Sequence, residues 1–193
     1  VYIALLQETH LKIADVHRCQ NRHYRIAASS SAPNKTKGVS ILIKRNLKLN
    51  ILESGADTNG KFCFIKCNFD SVKMCIFSVY APNYQDASFY DSLKQVVLRH
   101  PDCIFLMGGG YNSVVDNSLD RMYNTQALNQ SNASSNLLRD FLTDLNLIDP
   151  WRTINPSNRD YTFFSSRHKS YSRIDYIFMS PGLDGIPPEL LLE

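Results

Sequence analysis

The sequence predicts an α/β layered domain, because short apolar strands along the chain are interleaved with two segments of helical periodicity. With 193 residues the chain can bury one sizeable core, and it contains no internal repeat or low-complexity linker. Its apolar fraction of 44% and charged fraction of 20% are ordinary for a globular protein. These observations predict that one α/β domain makes up most of the chain.

Apolar runs in the first part of the chain predict six strands. Residues 1–6 form a continuous apolar run that fits a buried strand, and no start signal precedes it, so we expect the chain to open inside a domain. Residues 23–29 and 38–44 predict two strands separated by a turn-rich segment. The other three runs are residues 47–54, 61–69 and 71–81, with Asp70-Ser71 as a link compatible with a hairpin.

Helical spacing of apolar residues interrupts this strand pattern twice. Residues 87–99 predict a helix, with Asp86 as its N-cap and Pro101 just beyond its end. Residues 136–147 show the same periodicity. We expect further strands at 103–109, 161–165 and 173–179, and loops over the polar residues 112–132.

Composition limits the classes of partner and compartment. A net charge of +3 permits a nucleic-acid partner without demanding one. No apolar run is long enough to span a bilayer and no leader opens the chain, so we expect no membrane partner and an intracellular protein, nuclear or cytoplasmic rather than secreted. The five scattered cysteines favour reduced core thiols over a zinc site. Nothing indicates an obligate protein partner.

Four segments share one layout, in which an apolar strand ends and polar residues follow at once. Strand ends are where layered α/β folds gather ligands, because the sheet fixes the backbone while the loop presents side chains. Taken singly, Glu8 fits a surface charge, Asn112 a turn residue and Asp175 a hydrogen-bonded core acid. The segments are LLQETH (5–10), SVYAPN (78–83), LMGGGYNS (106–113) and YSRIDYIF (171–178).

In this order the four segments resemble the endonuclease/exonuclease/phosphatase superfamily, over nearly all of residues 1–180. The resemblance implies a DNase I-like α/β fold, a four-layer sandwich of two mixed sheets flanked by helices, here expected to lack its first and last strands. It also implies a Mg²⁺-dependent phosphodiesterase that acts on DNA.

The first two motifs match the family pattern. Leu6-Gln7-Glu8-Thr9 matches a strand ending in Q-E-T/S, which implies that Glu8 is the metal ligand. Mg²⁺ keeps several waters, so one or two carboxylates suffice to bind it. SVYAPN matches Y-x-P-N, which implies that Tyr80 lies against the scissile phosphate.

The third motif departs from the family pattern, which is G-G-D-F-N. The chain reads Gly108-Gly109-Gly110-Tyr111-Asn112. The resemblance implies that Asn112 stabilises the transition state through its amide. The family's aspartate orients or deprotonates the attacking water, and Gly110 has no side chain for that task. Losing a general base commonly lowers the rate by about 10²–10⁴-fold, so we expect a catalytically impaired copy.

The fourth motif lies in RDYTFFSSRHKSYSRIDYIF (159–178), which looks like the LINE-type, non-LTR retrotransposon branch of the family. The resemblance implies that Thr162 contacts phosphate and that Asp175 orients a catalytic histidine. Basic residues between them fit either a grip on DNA phosphates or a solvated hairpin tip, and the resemblance favours DNA. They are Arg167, His168, Lys169 and Arg173, accompanied by Tyr171. Trp151, nearby in sequence, is interpreted as a core aromatic.

Both ends depart from the family pattern. The family's C-terminal Ser-Asp-His does not occur in this chain, so we expect that Gly110→Asp alone would not restore cutting. Residues 180–189 resemble S-P-G-x-D-G-I-P-x-E, found near the start of a reverse transcriptase, with an ordinary Pro/Gly-rich loop as the alternative. We therefore expect an incomplete endonuclease/exonuclease/phosphatase domain over 1–179 and a reverse-transcriptase-like tail over 180–193.

Three functions remain open from the sequence. The first is a DNA-nicking phosphodiesterase, impaired in this copy. The second is a non-catalytic remnant with residual nucleic-acid binding. The third is a phosphodiesterase of the same superfamily acting on lipid or inositol phosphates, which the retrotransposon-like fourth motif disfavours.

Overall fold

The structure is a computed structural model that describes residues 1–69, 71–123 and 133–181. Three α-helices lie in the described part of the chain, α1 (Ala87–Leu98), α2 (Ala133–Asp144) and α3 (Pro150–Ile154), and a 3-10 helix spans Ile13–Cys19. The strands are β1 (Ile3–Leu6), β2 (Tyr24–Ser31), β3 (Gly38–Lys44), β4 (Asn50–Ala56), β5 (Phe62–Phe69), β6 (Val72–Tyr80), β7 (Ile104–Gly110), β8 (Arg121–Tyr123), β9 (Phe163–Ser165), β10 (Ser170–Ser172) and β11 (Asp175–Met179).

The described strands form three sheets. The largest has the order β11-β7-β6-β5-β4, and its β6–β7 pair is parallel. A three-stranded sheet has the order β1-β3-β2 and a smaller one the order β8-β10-β9, both antiparallel. The α/β class is confirmed. Among the described strands, the parallel pair lies in the five-stranded sheet, where α1 makes it possible as the crossover connection.

Alternate side chains of the five-stranded sheet enter two separate cores. On β5, Phe62 and Phe64 face the core shared with α1 and α2, whereas Cys63 and Ile65 face the core shared with the three-stranded sheet. This is the period of two expected for a strand buried on both faces. On the far side of the three-stranded sheet, the described helical layer is the 3-10 helix against β2.

The cysteines match the expectation of core thiols. Cys63, Cys67, Cys75 and Cys103 are buried and unpaired, whereas Cys19 is half-buried. Burial raises the pKa of the Cys67 thiol to about 11, which keeps it protonated at neutral pH. In the described residues, no helix combines the length and apolar character needed to cross a membrane.

Most predicted elements are confirmed, and the differences concern short ones. Helix α1 begins after Asp86 as predicted, and the Asp86 carboxylate accepts a hydrogen bond from the backbone N of Phe89 at 3.2 Å. The three-residue strands β8 and β10, helix α3 and the 3-10 helix were not predicted, because each is too short to show periodicity. The tail over 182–193 lies outside the described residues, so its prediction stays untested.

Candidate active site

Four chain segments meet at one edge of the five-stranded sheet and of the β1-β3-β2 sheet. The parallel strands β6 and β7 end side by side, with Tyr80 paired to Gly110. On the other side of β7, Gly110 pairs with Asp175, the first residue of β11. Strand β1 of the three-stranded sheet ends just before Glu8. The four motifs that were read separately from the sequence therefore converge in space.

Gln7 fixes the end of β1 against the five-stranded sheet. Its side-chain nitrogen donates to the Ser78 hydroxyl at 3.1 Å, and that hydroxyl donates to the backbone oxygen of Leu6 at 3.1 Å. Ser78 is fully buried. This bridge was not predicted, because the glutamine of the first motif carried no assigned role and Ser78 reads as an ordinary strand residue.

The loop after β1 has an unusual backbone that presents Glu8. Glu8 and His10 have φ angles of 52° and 51°, in the left-handed region that few residues other than glycine adopt. The Glu8 side chain is 55% exposed, and its Oε2 lies 3.6 Å from His10 Nε2. Thr9, between them, donates its backbone N–H to the oxygen of Gly38 at 3.1 Å, which ties the loop to β3.

Tyr80 lies between Glu8 and Asn112. Burial raises the pKa of its hydroxyl, and the hydrogen bond to the Glu8 carboxylate raises it further. The Asn112 amide also hydrogen-bonds to this hydroxyl and opposes the rise in pKa, while the negative charge of Asp175 adds to it. Asn112 has a φ of 51°, and its side-chain nitrogen donates to the backbone oxygen of Ala81 at 2.7 Å. Asn112, whose backbone is in the strained left-handed region, is thus anchored to the strand end beside Tyr80.

Gly110 occupies the middle of this group. A β-carbon at residue 110 would lie 3.2 Å from Oδ1 of Asp175 and 3.5 Å from the ring of Tyr80. Any side chain here would therefore project among the predicted site residues. Because residue 110 is glycine, it places no functional group between Tyr80 and Asp175.

Thr162 is held against the start of β11. Its hydroxyl oxygen accepts hydrogen bonds from the backbone N–H groups of Ile174 and Asp175, at 3.1 and 3.2 Å. Its own N–H donates to the oxygen of Ser172 at 3.1 Å. Thr162 and Asp175 are both exposed, so together they form one open wall of the site.

The basic residues of the fourth motif divide into two groups. Arg167, His168 and Lys169 are exposed on the turn between β9 and β10. Arg173 is 5% exposed, and its guanidinium pairs with Asp120 at 2.9 Å and Asp149 at 2.6 Å. The structure thus places Arg173 away from the surface on which the sequence put it, because two acids from distant parts of the chain neutralise it.

Trp151 also differs from its predicted role. It is half-buried and lies outside both core clusters. Its ring stacks under the guanidinium groups of Arg173 and Arg152, with centroid distances of 4.6 and 4.9 Å. Such contacts are cation–π interactions, so Trp151 supports the charged residues rather than the apolar core.

A cleft of about 970 Å³ opens beside this wall. It runs between the edge strands β1 and β11, and its apolar lining includes Ile3, Leu5 and Ile177. Thr162 and Asp175 stand where the cleft meets the site.

The fold and the converging strand ends agree with a comparison against protein families. The model of the Endonuclease/Exonuclease/phosphatase family matches residues 1–189, so the chain belongs to that family.

Individual relatives add detail. The chain is 28% identical over 161 residues to the Transposon TX1 uncharacterized 149 kDa protein of Xenopus laevis, a match that covers 81% of the chain and 11% of that protein. Among solved structures, the AP endonuclease LMAP from Leishmania major superposes with a TM-score of 0.73 at 18% identity, covering 93% of this chain and 69% of that one. The endonuclease domain of TRAS1, a telomere-specific non-LTR retrotransposon, gives 0.65 at 18% identity, with 94% and 74% covered.

The two superpositions cover most of this chain and therefore support the fold. The chain spans about a tenth of the length of the Xenopus protein, given the 11% coverage. The expected likeness to LINE-type retrotransposon endonucleases is found in the transposon protein and in the TRAS1 domain.

Proposed function

We propose that this chain is the endonuclease domain of a retrotransposon-derived protein, a phosphodiesterase directed at DNA whose cutting rate is impaired in this copy. One observation carries the proposal. The ends of β6, β7 and β11 bring Tyr80, Asn112 and Asp175 together around residue 110, which is a glycine. The surrounding groups suit phosphodiester chemistry, and the central position lacks a base.

Two features support DNA as the substrate. The names of two similar structures describe endonucleases, and one of them is a retrotransposon domain. The exposed cations Arg167 and Lys169 lie on the turn between β9 and β10, and β9 begins directly after Thr162. Exposed cations beside a phosphate-binding wall bind the DNA backbone by displacing its counterions.

The hydrogen-bonding capacity of the wall suits a phosphate group. The Thr162 hydroxyl accepts from two backbone amides, so its own proton remains to donate to a phosphate oxygen. The Asn112 nitrogen carries two protons, one directed at the oxygen of Ala81 and the other at the Tyr80 hydroxyl, and a bound phosphate oxygen would take the place of the second acceptor. The raised pKa of Tyr80 keeps its hydroxyl protonated at ordinary pH, and its proton, directed at the Glu8 carboxylate, would turn to a phosphate oxygen when DNA binds. These donors would orient the phosphodiester and stabilise negative charge that develops on it.

We propose that Mg²⁺ binds at Glu8. The exposed carboxylate of Glu8 and the nearby carboxylate of Asp175 are hard oxygen ligands, which fit this ion. In the described residues no group of three or more His, Cys, Asp and Glu side chains is placed to hold a metal, so the ion would keep several waters. When bound, the ion supplies positive charge to a phosphoryl oxygen.

The proposed impairment follows from the lack of a carboxylate at residue 110. A carboxylate there would stand beside Tyr80 and Asp175, in position to take a proton from water in the site. Its absence lowers the expected rate by about 10²–10⁴-fold. The chain keeps groups that bind and orient a phosphodiester but has lost the one that would activate water.

A plasmid-nicking assay with Mg²⁺ tests this proposal. We expect conversion of supercoiled plasmid close to background, equal in the wild type and in Glu8→Ala. The matched control is Glu53→Ala, which removes a half-exposed acid from another part of the chain. Nicking that is clear in the wild type and in Glu53→Ala but absent in Glu8→Ala would contradict the impairment.

Binding is measured in parallel by fluorescence anisotropy with a short labelled duplex. We expect binding that weakens with salt. No binding at low salt would contradict DNA as the substrate. Hydrolysis of an inositol phosphate or of a phospholipid headgroup, without DNA binding, would instead favour the lipid or inositol-phosphate branch of the family.

A further inference from the structure

Asp120 has a buried carboxylate that the site described above does not use. The residue is 0% exposed. Its Oδ1 accepts from Nε of Arg173 at 2.9 Å and from a terminal nitrogen of Arg152 at 2.5 Å. Its Oδ2 accepts from the backbone N of Asp116 at 3.0 Å and lies 3.3 Å from the Tyr176 hydroxyl, whose single proton is directed at the nearer backbone oxygen of Arg173 at 2.7 Å. With three donors and the Tyr176 hydroxyl around it, this carboxylate is confined to one position.

Arg173 is the main partner of Asp120. Burial opposes its charge, yet hydrogen bonds to Asp149 and Asp120 raise its pKa above the usual value. Its guanidinium lies between the rings of Trp151 and Tyr176, 4.6 and 4.4 Å from their centroids. Its backbone N–H also donates to the oxygen of Asp120 at 2.8 Å. The pair is therefore joined through both side chains and backbone.

This network clamps the strand that carries Asp175. Arg173 and Tyr176 flank the dipeptide Ile174-Asp175, whose two N–H groups hold the Thr162 hydroxyl. The Tyr176 hydroxyl donates to the oxygen of Arg173 at 2.7 Å and accepts from the N–H of Val115 at 3.1 Å. Both sides of Asp175 are thereby fixed to the loop that follows β7.

The same loop begins at Asn112 and ends at Asp120. Its last residue donates its N–H to the oxygen of Asp116 at 2.7 Å, which closes the loop on itself. The attachment of Asp120 to Arg173 therefore joins this loop to the segment that carries Asp175, in addition to the pairing of β11 with β7.

We propose that Asp120 is a positioning residue, which sets the location of the Thr162–Asp175 wall relative to Asn112. The consequence for DNA rests on the function proposed above. A carboxylate is needed here, because with a neutral amide at residue 120 Asp149 alone would have to balance both Arg173 and Arg152. Breaking the pair leaves one positive charge unbalanced, and the residues on either side of Asp175 then keep only their backbone attachment to β7 and Tyr111.

Amide hydrogen exchange in Asp120→Asn tests the proposal without relying on activity. We expect exchange at Ile174 and Asp175 to accelerate about tenfold more than exchange at Phe77 in β6, since a charged hydrogen bond is lost beside the first pair only. The matched control is Leu138→Ala, which opens a cavity in the core under α2. It should accelerate slowly exchanging amides by one common factor.

A second variant keeps the proposal testable if Asp120→Asn does not fold. Tyr176→Phe retains the ring and the ion pairs but removes the hydroxyl that joins Asp120, Val115 and Arg173. We expect the same selective acceleration at Ile174 and Asp175, with a smaller amplitude. Acceleration at these two amides no greater than in Leu138→Ala would overturn the positioning role.

Duplex affinity separates this proposal from the proposed function. With a wild type that binds DNA, we expect Asp120→Asn to raise the dissociation constant about tenfold, whereas Leu138→Ala leaves it unchanged well below its melting temperature. An unchanged dissociation constant in Asp120→Asn would contradict the proposal. A wild type that fails to bind DNA overturns the proposed function, and the exchange ratio at Ile174 and Asp175 then still decides the role of Asp120.

Discussion

The pKa of Tyr80 reports on the arrangement of the site, because the groups that contact its hydroxyl shift that pKa in opposite directions. Burial and the Glu8 carboxylate raise its pKa, whereas the Asn112 amide opposes the rise. We expect Glu8→Gln to lower the Tyr80 pKa and Asn112→Ala to raise it, relative to the wild type. Titration by NMR of tyrosine labelled with ¹³C at Cζ would measure both. Shifts of the same sign in the two variants would show that the three side chains do not meet as described.

Gly110 stands where the family pattern inferred from the resemblance has an aspartate. A carboxylate introduced by Gly110→Asp would lie beside Asp175, since the β-carbon position is 3.2 Å from its Oδ1. We expect this variant to bind Mg²⁺ more tightly than the isosteric control Gly110→Asn, because the ion relieves the repulsion between the acids. Melting temperature as a function of Mg²⁺ concentration gives the comparison.

Nicking by Gly110→Asp is a separate expectation. We expect the rate to remain close to that of the wild type, because the chain contains no Ser-Asp-His to complete the family's set of groups. Full recovery of nicking would show that the base was the only missing function. Equal Mg²⁺-dependent melting of Gly110→Asp and Gly110→Asn would contradict the placement of residue 110 beside Asp175.

At the level of elements, α1 depends on an acidic N-cap. Asp86 accepts from the backbone N of Phe89 and from the Ser88 hydroxyl, and Lys61 pairs with it at 2.9 Å. We expect Asp86→Ala to lower the free energy of unfolding by about 1–2 kcal/mol. The matched control is Asp91→Ala, which removes an exposed acid from the same helix. Urea unfolding at pH 7 measures the difference between the variants.

The same cap makes part of the stability depend on pH. The hydrogen bonds from Ser88 and Lys61 lower the pKa of Asp86 in the folded state. A lowered folded pKa gives stability that is fully present above the unfolded value near 3.8 and is lost as pH falls through the folded value. The difference between Asp86→Ala and the wild type should therefore shrink below about pH 4. A difference that stays constant down to pH 2 would contradict the cap.

The turn between β9 and β10 supplies the cations proposed to contact DNA. We expect the double variant Arg167→Ala with Lys169→Ala to weaken duplex binding and to reduce the slope of log affinity against log salt by about 2. The matched control is Lys12→Ala with Lys48→Ala, two exposed lysines elsewhere on the chain. Anisotropy titrations at several salt concentrations distinguish the two pairs. Equal slopes for both would contradict a DNA-binding turn.

The sequence predicted long elements better than short ones, for physical reasons. Strands such as β3 and β6 and helix α1 show clear periodicity, because each buries a continuous face. The role of Arg173 could not be seen locally, because its partners Asp120 and Asp149 lie 53 and 24 residues away in the chain. A basic residue near a phosphate-binding motif looks like a DNA contact until its counter-charges are located.

The sequence likewise predicted only part of the candidate site. Glu8, Tyr80, Asn112 and Asp175 stand at strand ends, and a strand end is a position that hydrophobic pattern can locate. Their convergence required knowledge of sheet order, which pattern does not provide. The Gln7–Ser78 bridge joins two sheets across 71 residues of sequence and was therefore invisible before the fold was known.

At the scale of the whole molecule, the five-stranded sheet couples two cores that lie on opposite faces. Leu93 of α1 packs on one face, and Ile41 of β3 belongs to the core on the other. Both are fully buried. We expect Leu93→Ala to cost about 2–5 kcal/mol and Ile41→Val about 0.5–1.5 kcal/mol. Because the central sheet borders both cores, each variant should shift one cooperative transition rather than split it.

The double variant tests whether the layers are independent in packing yet joined in unfolding. An entire sheet separates the two side chains, so their effects should add to within about 0.5 kcal/mol. Denaturation followed by near-UV and far-UV circular dichroism should give coincident curves for the wild type and all three variants. Two separate transitions in Leu93→Ala, of which the first is unaffected by Ile41→Val, would mean that the helical layer melts alone. In that case the strand ends that bring Tyr80, Asn112 and Asp175 together would not depend on the helices for their support.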